Sequence, residues 1–349
     1  MISQIKKRLM RKSTTESAFP AWPQSPNYDN DKGVFVNHRP QQGVRFTHVL
    51  SALLEMIKGT KRFAPKSPLP MSTPDWPLFL RDDGLSRFIW FGHSSLLMRV
   101  GKQTIAVDPV VGASVSPLAF NMRRFQPPAA PLAKWPKVDI VLLSHNHYDH
   151  LEVNTLKKLA QAGAAFIVPL GVAHYFRQLG IKPVKITELD WWQAATIASL
   201  QVTLVPGLHN TGRSFSDTNK SLWGGYVLQH DKETIYYSGD SAYGPHFKQI
   251  AQRFGEINLA FIENGQYNWR WKDSHMTPEQ TVQAAVDIYP QRIVPVHWGA
   301  YTMALHPWHE PVRRSVPEMR RRGLKPLTPL QGQVFDYHTE TDDWFFQAE

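Results

Sequence analysis

Residues 145–150 read His-Asn-His-Tyr-Asp-His, which places His145, His147, Asp149 and His150, four side chains of metal-ligand type, within six positions. Imidazole nitrogens and carboxylate oxygens at this density suit a divalent cation. A short, β-branched apolar run at 138–143 precedes the cluster and reads as a buried parallel strand. His145 and His147 are two apart, so an extended backbone points them the same way. Asp149 and His150 follow where the chain turns into a helical stretch, 152–161. A single histidine here would be an ordinary loop residue. Four together at a strand end, where α/β proteins bind ligands, indicate a metal site.

Three other apolar strands run into residues of the same type: 201–205 toward His209, 233–237 toward Asp240, and 292–296 into His297. Ends of neighbouring strands lie side by side, so these loops can meet at one place. Seven ligands suit two ions that share a carboxylate and keep an open position for water. The expected shells are His145, His147, His209 and Asp240 for one ion, and Asp149, His150, His297 and Asp240 for the other. Asp240 is the natural bridge because a carboxylate has two oxygens. The chain has no cysteine, which excludes thiolate ligands, disulfides and zinc fingers. Nitrogen-rich ligation favours two Zn²⁺, with Mn²⁺, Fe²⁺ or Ni²⁺ compatible with the spacing.

The elements that must position these residues alternate along the chain. Strands are expected at 87–91, 95–100, 103–107, 138–143, 165–168, 184–189, 201–205, 223–229, 233–237, 259–263, 292–296 and 333–337. Helices are expected at 152–161, 172–179, 243–254, 277–288 and 310–322. Ahead of them, Phe46, Val49, Leu50, Leu53, Leu54 and Ile57 form a helical apolar stripe flanked by Arg45, Lys58, Lys61 and Arg62. That stripe faces either the core or a membrane. The domain reading is a basic, irregular arm at 1–43, an amphipathic helix with a Pro-rich lead-in at 44–86, and a catalytic domain at 87–349.

With 349 residues, 42% of them hydrophobic, the chain can bury a large core. Its formal charge of +10 favours anionic partners, a phospholipid surface among them. The start, MISQIKKRLMRKSTTE, is basic with no apolar stretch behind it, so it reads as an arm that touches an anionic membrane rather than a secretory signal. Missing cysteines fit a cytoplasmic protein, peripheral on the inner face of a membrane.

The His-x-His-x-Asp-His cluster with a later His, Asp and His resembles the metallo-β-lactamase superfamily, which implies an α/β (α+β) fold, a four-layer αββα sandwich. Finer stretches are similar to one branch, the N-acylphosphatidylethanolamine-hydrolysing phospholipase D family. They include Gly92-His93-Ser94-Ser95, Thr104-Ile105-Ala106-Val107-Asp108-Pro109, Glu188-Leu189-Asp190-Trp191-Trp192, Ser238-Gly239-Asp240 and His297-Trp298-Gly299. The likeness spans roughly residues 20–330. It departs at His209-Asn210-Thr211-Gly212-Arg213, where the family has an aromatic residue after the histidine, and in the loop from Glu263 to Trp271.

The resemblance implies hydrolysis of an N-acylated ethanolamine phospholipid to phosphatidic acid and N-acylethanolamine by a hydroxide formed between two metals. Asp149, Asp240 and His275 are then the candidate catalytic residues, with His275 at the phosphate or head group. Asp108 would orient a ligand histidine from behind, and Arg213, Tyr267 and Arg270 would contact substrate. A homodimer is also implied. Other readings are a lactonase acting on a phosphorylated sugar lactone and a non-catalytic metal-stabilised protein at a membrane surface. The segment from Asp240 to His297 is too short for the inserted domain of nucleases of this fold, so no nucleic-acid partner is expected. The bridging aspartate and missing cysteine argue against a true β-lactamase.

Overall fold

The computed structural model describes residues 19–39, 61–116, 122–214 and 216–348, together with Thr47, Ser51 and Glu55. The basic residues of the first sixteen positions and the six apolar residues of the 46–57 stripe lie outside the described residues. A leader hairpin, β1 (Tyr28–Asp29) and β2 (Val34–Phe35), comes first, and a single helical turn, α1 (Trp76–Phe79), precedes the body.

The body is two packed sheets. The first orders its strands β15 (Val334–Phe335), β3 (Arg87–Trp90), β4 (Leu96–Val100), β5 (Gln103–Val107), β6 (Ile140–Leu142), β7 (Ala165–Pro169) and β8 (Lys185–Leu189). The second runs β14 (Arg292–Val296), β13 (Leu259–Glu263), β12 (Glu233–Tyr237), β11 (Gly225–His230), β10 (Leu200–Val205) and β9 (Ala194–Ile197). β5 to β8 are parallel, and so are β12 to β14, while the remaining pairs are antiparallel.

Alternation along each strand assigns the layers, because successive side chains point to opposite faces. Ile105, Val107, Ile140 and Leu142 of the first sheet pack against Ile235, Tyr237, Leu259 and Phe261 of the second. Their sequence neighbours Ala106, Val141 and Leu143 turn outward onto α2 (Val153–Gln161) and α3 (Val172–Leu179) through Leu156, Leu159 and Phe176. On the far side Tyr236, Ala260 and Ile262 meet α4 (His246–Phe254) and α5 (Pro278–Ile288) through Phe247, Ile250 and Ala285, and Met319 of α6 (Glu310–Arg321) joins them. The result is the expected αββα sandwich.

Element ends differ from the sequence reading by a few residues. α4 begins at His246 rather than at 243, with Pro245 as its cap. β9, the exposed edge Ala194–Ile197, was not expected, since two alanines among polar residues carry no apolar signal. The leader is tied to the body: Phe35 is fully buried in the inter-sheet core and Asn27 Nδ2 donates to Asp190 Oδ1 at 2.7 Å.

Candidate metal centre

The C-terminal ends of β3, β5, β6, β10, β12, β13 and β14 all open at one end of the sandwich, and each supplies a side chain there. β6 leads into His145, His147, Asp149 and His150, β10 into His209, β12 into Asp240 and β14 into His297. Two loops cross at this point, where His93 N donates to Trp298 O at 2.7 Å and His297 N to His93 O at 2.8 Å. His93, Asp108 and His297 all adopt left-handed backbone, with φ of 54°, 40° and 69°. Non-glycine residues there are strained, and such strain clusters at functional sites.

The seven expected ligands converge. Nε2 of His145 lies 2.8 Å from Nδ1 of His147, and Nε2 of His209 lies 3.3 Å from that same atom. Ligand atoms of these three fall within 4.8 Å of one another, and so do those of Asp149, His150 and His297 with His93. Asp240 stands between the two sets. Its Oδ2 is 3.1 Å from His150 Nε2 and 3.8 Å from Nε2 of both His145 and His209, while its Oδ1 is 3.1 Å from His297 Nδ1.

Outer partners fix which ring nitrogen points inward. Asp108 Oδ2 accepts from His150 Nδ1 at 2.7 Å, from Ser144 Oγ at 2.6 Å and from the Tyr237 hydroxyl at 2.5 Å. Ser144 Oγ, its proton committed to Asp108, accepts from His145 Nδ1 at 2.9 Å. The Ser274 carbonyl accepts from His209 Nδ1 at 2.9 Å. Each of these rings is left with Nε2 as its lone-pair nitrogen. Among the described residues, His150 Nε2, His297 Nε2 and Asp240 Oδ1 are buried without a hydrogen-bond partner. Buried polar atoms are almost always satisfied, so orphaned acceptors aimed at a common centre are what a cation-binding cluster requires. This His/Asp cluster is able to hold metal.

Its electrostatics agree. Burial lowers the pKa of His145, His209 and His297 well below the usual imidazole value and that of His147 to about 4, which keeps these rings neutral and ready to donate lone pairs. For His150 burial is outweighed by the carboxylates of Asp240, Asp149 and Asp108, which raise it well above the ordinary value. Burial likewise fails to protonate Asp149 and Asp240, both held well below the usual carboxylate range chiefly by His150. Positive charge is stabilised at this point whoever carries it.

Two residues join the site that sequence reasoning left out. His93 Nε2 donates to Asp149 Oδ2 at 2.8 Å and steadies that carboxylate. Glu263, wholly buried, accepts from His275 Nδ1 at 2.7 Å. Burial pushes Glu263 up to about 7 against the pull of His275, while Glu263 overcomes burial to bring His275 up to about 9. A signal existed for their positions alone: Glu263 ends the apolar strand β13 and His93 follows β3 by three residues, but nothing local gives their partners.

A cleft of about 250 Å³ opens over the cluster, with His147, His209, His275, Asn210, Ser274 and Trp271 in its wall. A larger hollow of about 1150 Å³, between residues 67–72 and 328–348, holds none of the candidate ligands, so size does not mark the site. Of the expected substrate contacts, His275 lines the cleft and Arg213, Tyr267 and Arg270 do not. Arg213 Nη1 donates to the carbonyls of Asn146 at 2.9 Å and Leu151 at 3.0 Å, with its guanidinium 3.8 Å over the Tyr148 ring, and so braces the ligand loop from outside. Tyr267 donates to Glu310 and stacks on His306, and Arg270 Nε donates to Ser51 Oγ at 2.8 Å. The leader reaches the site as well, since Asn37 Nδ2 donates to the His209 carbonyl at 2.8 Å.

Comparison with known proteins matches residues 103–298 to the beta-lactamase superfamily domain. An uncharacterized protein of Mycobacterium tuberculosis is 35% identical over 320 residues, 90% of this chain and 85% of the relative. N-acyl-phosphatidylethanolamine-hydrolyzing phospholipase D 1 of Caenorhabditis elegans is 28% identical over 265 residues, 71% of this chain and 74% of the relative. A metallo hydrolase of Ignicoccus hospitalis superposes with a TM-score of 0.55 at 20% identity, covering 73% of this chain and 99% of that one, a likeness of fold.

Proposed function

Because the chain belongs to the metallo-β-lactamase superfamily and holds a His/Asp cluster able to bind metal, we propose that it is a dinuclear zinc phosphodiesterase of phospholipase D type. Its substrate is an N-acylated ethanolamine phospholipid, cleaved to phosphatidic acid and N-acylethanolamine. The observation that carries the reading is Asp240, one carboxylate placed between two sets of imidazoles. A shared ligand between two cations suits in-line displacement at phosphorus, where attacking and leaving oxygens both develop charge. The likeness to a phospholipase D of Caenorhabditis elegans supports the choice of substrate.

His145, His147 and His209 would hold one ion, Asp149, His150 and His297 the other, and Asp240 both. The ions supply Lewis acidity, which acidifies a water and draws charge from the phosphate oxygens. The protein's own contribution is position. Asp108, Ser144 and Ser274 hold three imidazoles in one tautomer, and His93 holds Asp149, so the cluster needs no rearrangement during the reaction. His275, protonated at neutral pH through Glu263, presents positive charge to the phosphodiester in the cleft. His145, His150, His209 and His297 are buried, and the cleft over His147, His209 and His275 is where substrate would approach them.

The formal charge of +10 supports an anionic membrane as the place of action. Among the described residues no helix is long and apolar enough to cross a membrane. Peripheral attachment from the cytoplasm and a homodimer complete the proposal.

The test is a mass-spectrometric product assay on N-acylphosphatidylethanolamine in mixed micelles, with and without chelator. Phosphatidic acid and N-acylethanolamine should appear together, vanish with chelator and return with zinc. Zinc-loaded protein that yields neither product overturns the lipid reading.

A further inference from the structure

Glu263 is the last residue of β13, after the apolar run Leu-Ala-Phe-Ile, at a position where burial on both faces would favour another aliphatic side chain. Instead the strand carries a carboxylate that solvent does not reach. Both of its oxygens are used: Oε1 accepts from His275 Nδ1 at 2.7 Å, and Oε2 accepts from the backbone amide of Ser241. Ser241 follows Asp240, and His275 faces the cleft. Among the described residues no lysine or arginine neutralises Glu263, and its one ionic partner is His275.

The surrounding backbone is built to hold this arrangement. Glu263 N donates to the Ser238 hydroxyl oxygen at 3.0 Å, and its carbonyl accepts from Thr281 Oγ1 of α5 at 2.9 Å. Two residues past His275, Thr277 caps α5 in a reciprocal box with Gln280, which fixes where the histidine-bearing loop enters the helix. The carboxylate therefore joins three segments that sequence keeps apart: the strand it ends, the corner at Asp240 and the loop carrying His275.

We propose that Glu263 is a positioning residue for hydrolysis, holding the His275 imidazole by Nδ1 toward the cleft, while the Ser241 amide on its other oxygen fixes the carboxylate itself. The inference rests on the phosphodiesterase reading. It goes further by assigning His275 a fixed ring orientation and a buried hydrogen-bond partner. Glu263 itself touches no substrate.

The test is a double-mutant cycle on zinc-loaded full-length protein, with bis(4-nitrophenyl) phosphate as the probe. Glu263→Gln keeps the shape but offers one acceptor where two N–H groups need one each. It should lower kcat about 10- to 100-fold, with KM and zinc content close to the parent's. In a His275→Ala background the same change should lower kcat less than 3-fold further, because the route through His275 is already gone. A second readout needs no turnover. The hydrogen-bonded imidazole N–H of His275, assigned by its loss in His275→Ala, should shift or disappear from the proton NMR spectrum of Glu263→Gln.

Equal losses in both backgrounds, or an unmoved resonance, overturn the positioning role while leaving the phosphodiesterase standing. A Glu263→Gln protein that has lost its zinc or its folded spectrum shows a structural role and overturns it too. Absence of any chelator-sensitive cleavage by the parent overturns the phosphodiesterase reading and this inference with it.

Discussion

Asp108 accepts four hydrogen bonds in a site that water does not reach: the Ser144 amide at Oδ1, and His150 Nδ1, the Ser144 hydroxyl and the Tyr237 hydroxyl at Oδ2. Four donors converging on one carboxylate leave it no freedom, and it passes that rigidity to His150. Its left-handed backbone limits which substitutions can test this. Asparagine tolerates that conformation best among isosteric changes, so Asp108→Asn isolates the charge. The amide replaces an acceptor with a donor against groups that donate, and His150 loses its fixed tautomer. Zinc affinity should fall roughly 10- to 100-fold, as for other residues that support ligand imidazoles. Competition with a chelator measures it, and an affinity equal to the parent's removes Asp108 from the support of the metal site.

At the scale of elements, the turn after β12 decides how closely the two sheets' loops approach. Gly239 sits at φ +60°, and a Cβ there would lie 2.5 Å from the Gly224 carbonyl oxygen and 3.0 Å from Ser144 Cβ. The neighbour that would have to give is backbone, not the end of a flexible side chain. Gly239→Ala should therefore cost about 2–4 kcal/mol, part of it left-handed strain and part displacement of Gly224. A denaturant midpoint with unchanged slope would report the loss. A midpoint equal to the parent's means that the turn can open, and that the Asp240 corner is less tightly set than its contacts imply.

The whole molecule buries many imidazoles, which ties its stability to pH. His246, at the start of α4, has among the described residues the Ser241 hydroxyl at 3.1 Å on one nitrogen and no hydrogen-bond partner on the other. Burial first, and then the charge of Arg39, bring its pKa down to about 3. Unfolded, the same ring titrates near 6.5. Between these values the unfolded chain binds a proton that the folded one refuses, so stability falls as pH drops from about 6.5 toward 3. The slope from this residue is up to ~1.4 kcal/mol per pH unit. His246→Phe should flatten the stability profile of zinc-loaded protein across that window by about this amount. An unaltered slope would place the acid sensitivity entirely elsewhere.

How the chain divides between what could be read and what could not follows from the range of the interactions. Local and periodic signals were legible without coordinates. Alternating apolar residues marked most strands of both sheets to within a few residues, and four ligand-type side chains within six positions marked the metal cluster. His209, Asp240 and His297 were legible because each follows an apolar strand, and topology places strand ends together. Among the supports of the site, Asp108 was reached only through the family resemblance, and the partners of the others were not legible. His93 meets Asp149 across 56 positions and Asn37 meets His209 across 172, and no spacing rule connects such pairs. Arg213 reads from sequence as a free cation near the ligands. Only packing shows its donors turned onto the Asn146 and Leu151 carbonyls. Ligand type is a property of the residue and was fixed when the chain was written. Orientation and tautomer depend on which distant group lies against each ring, and that is settled when the two sheets close over their common core.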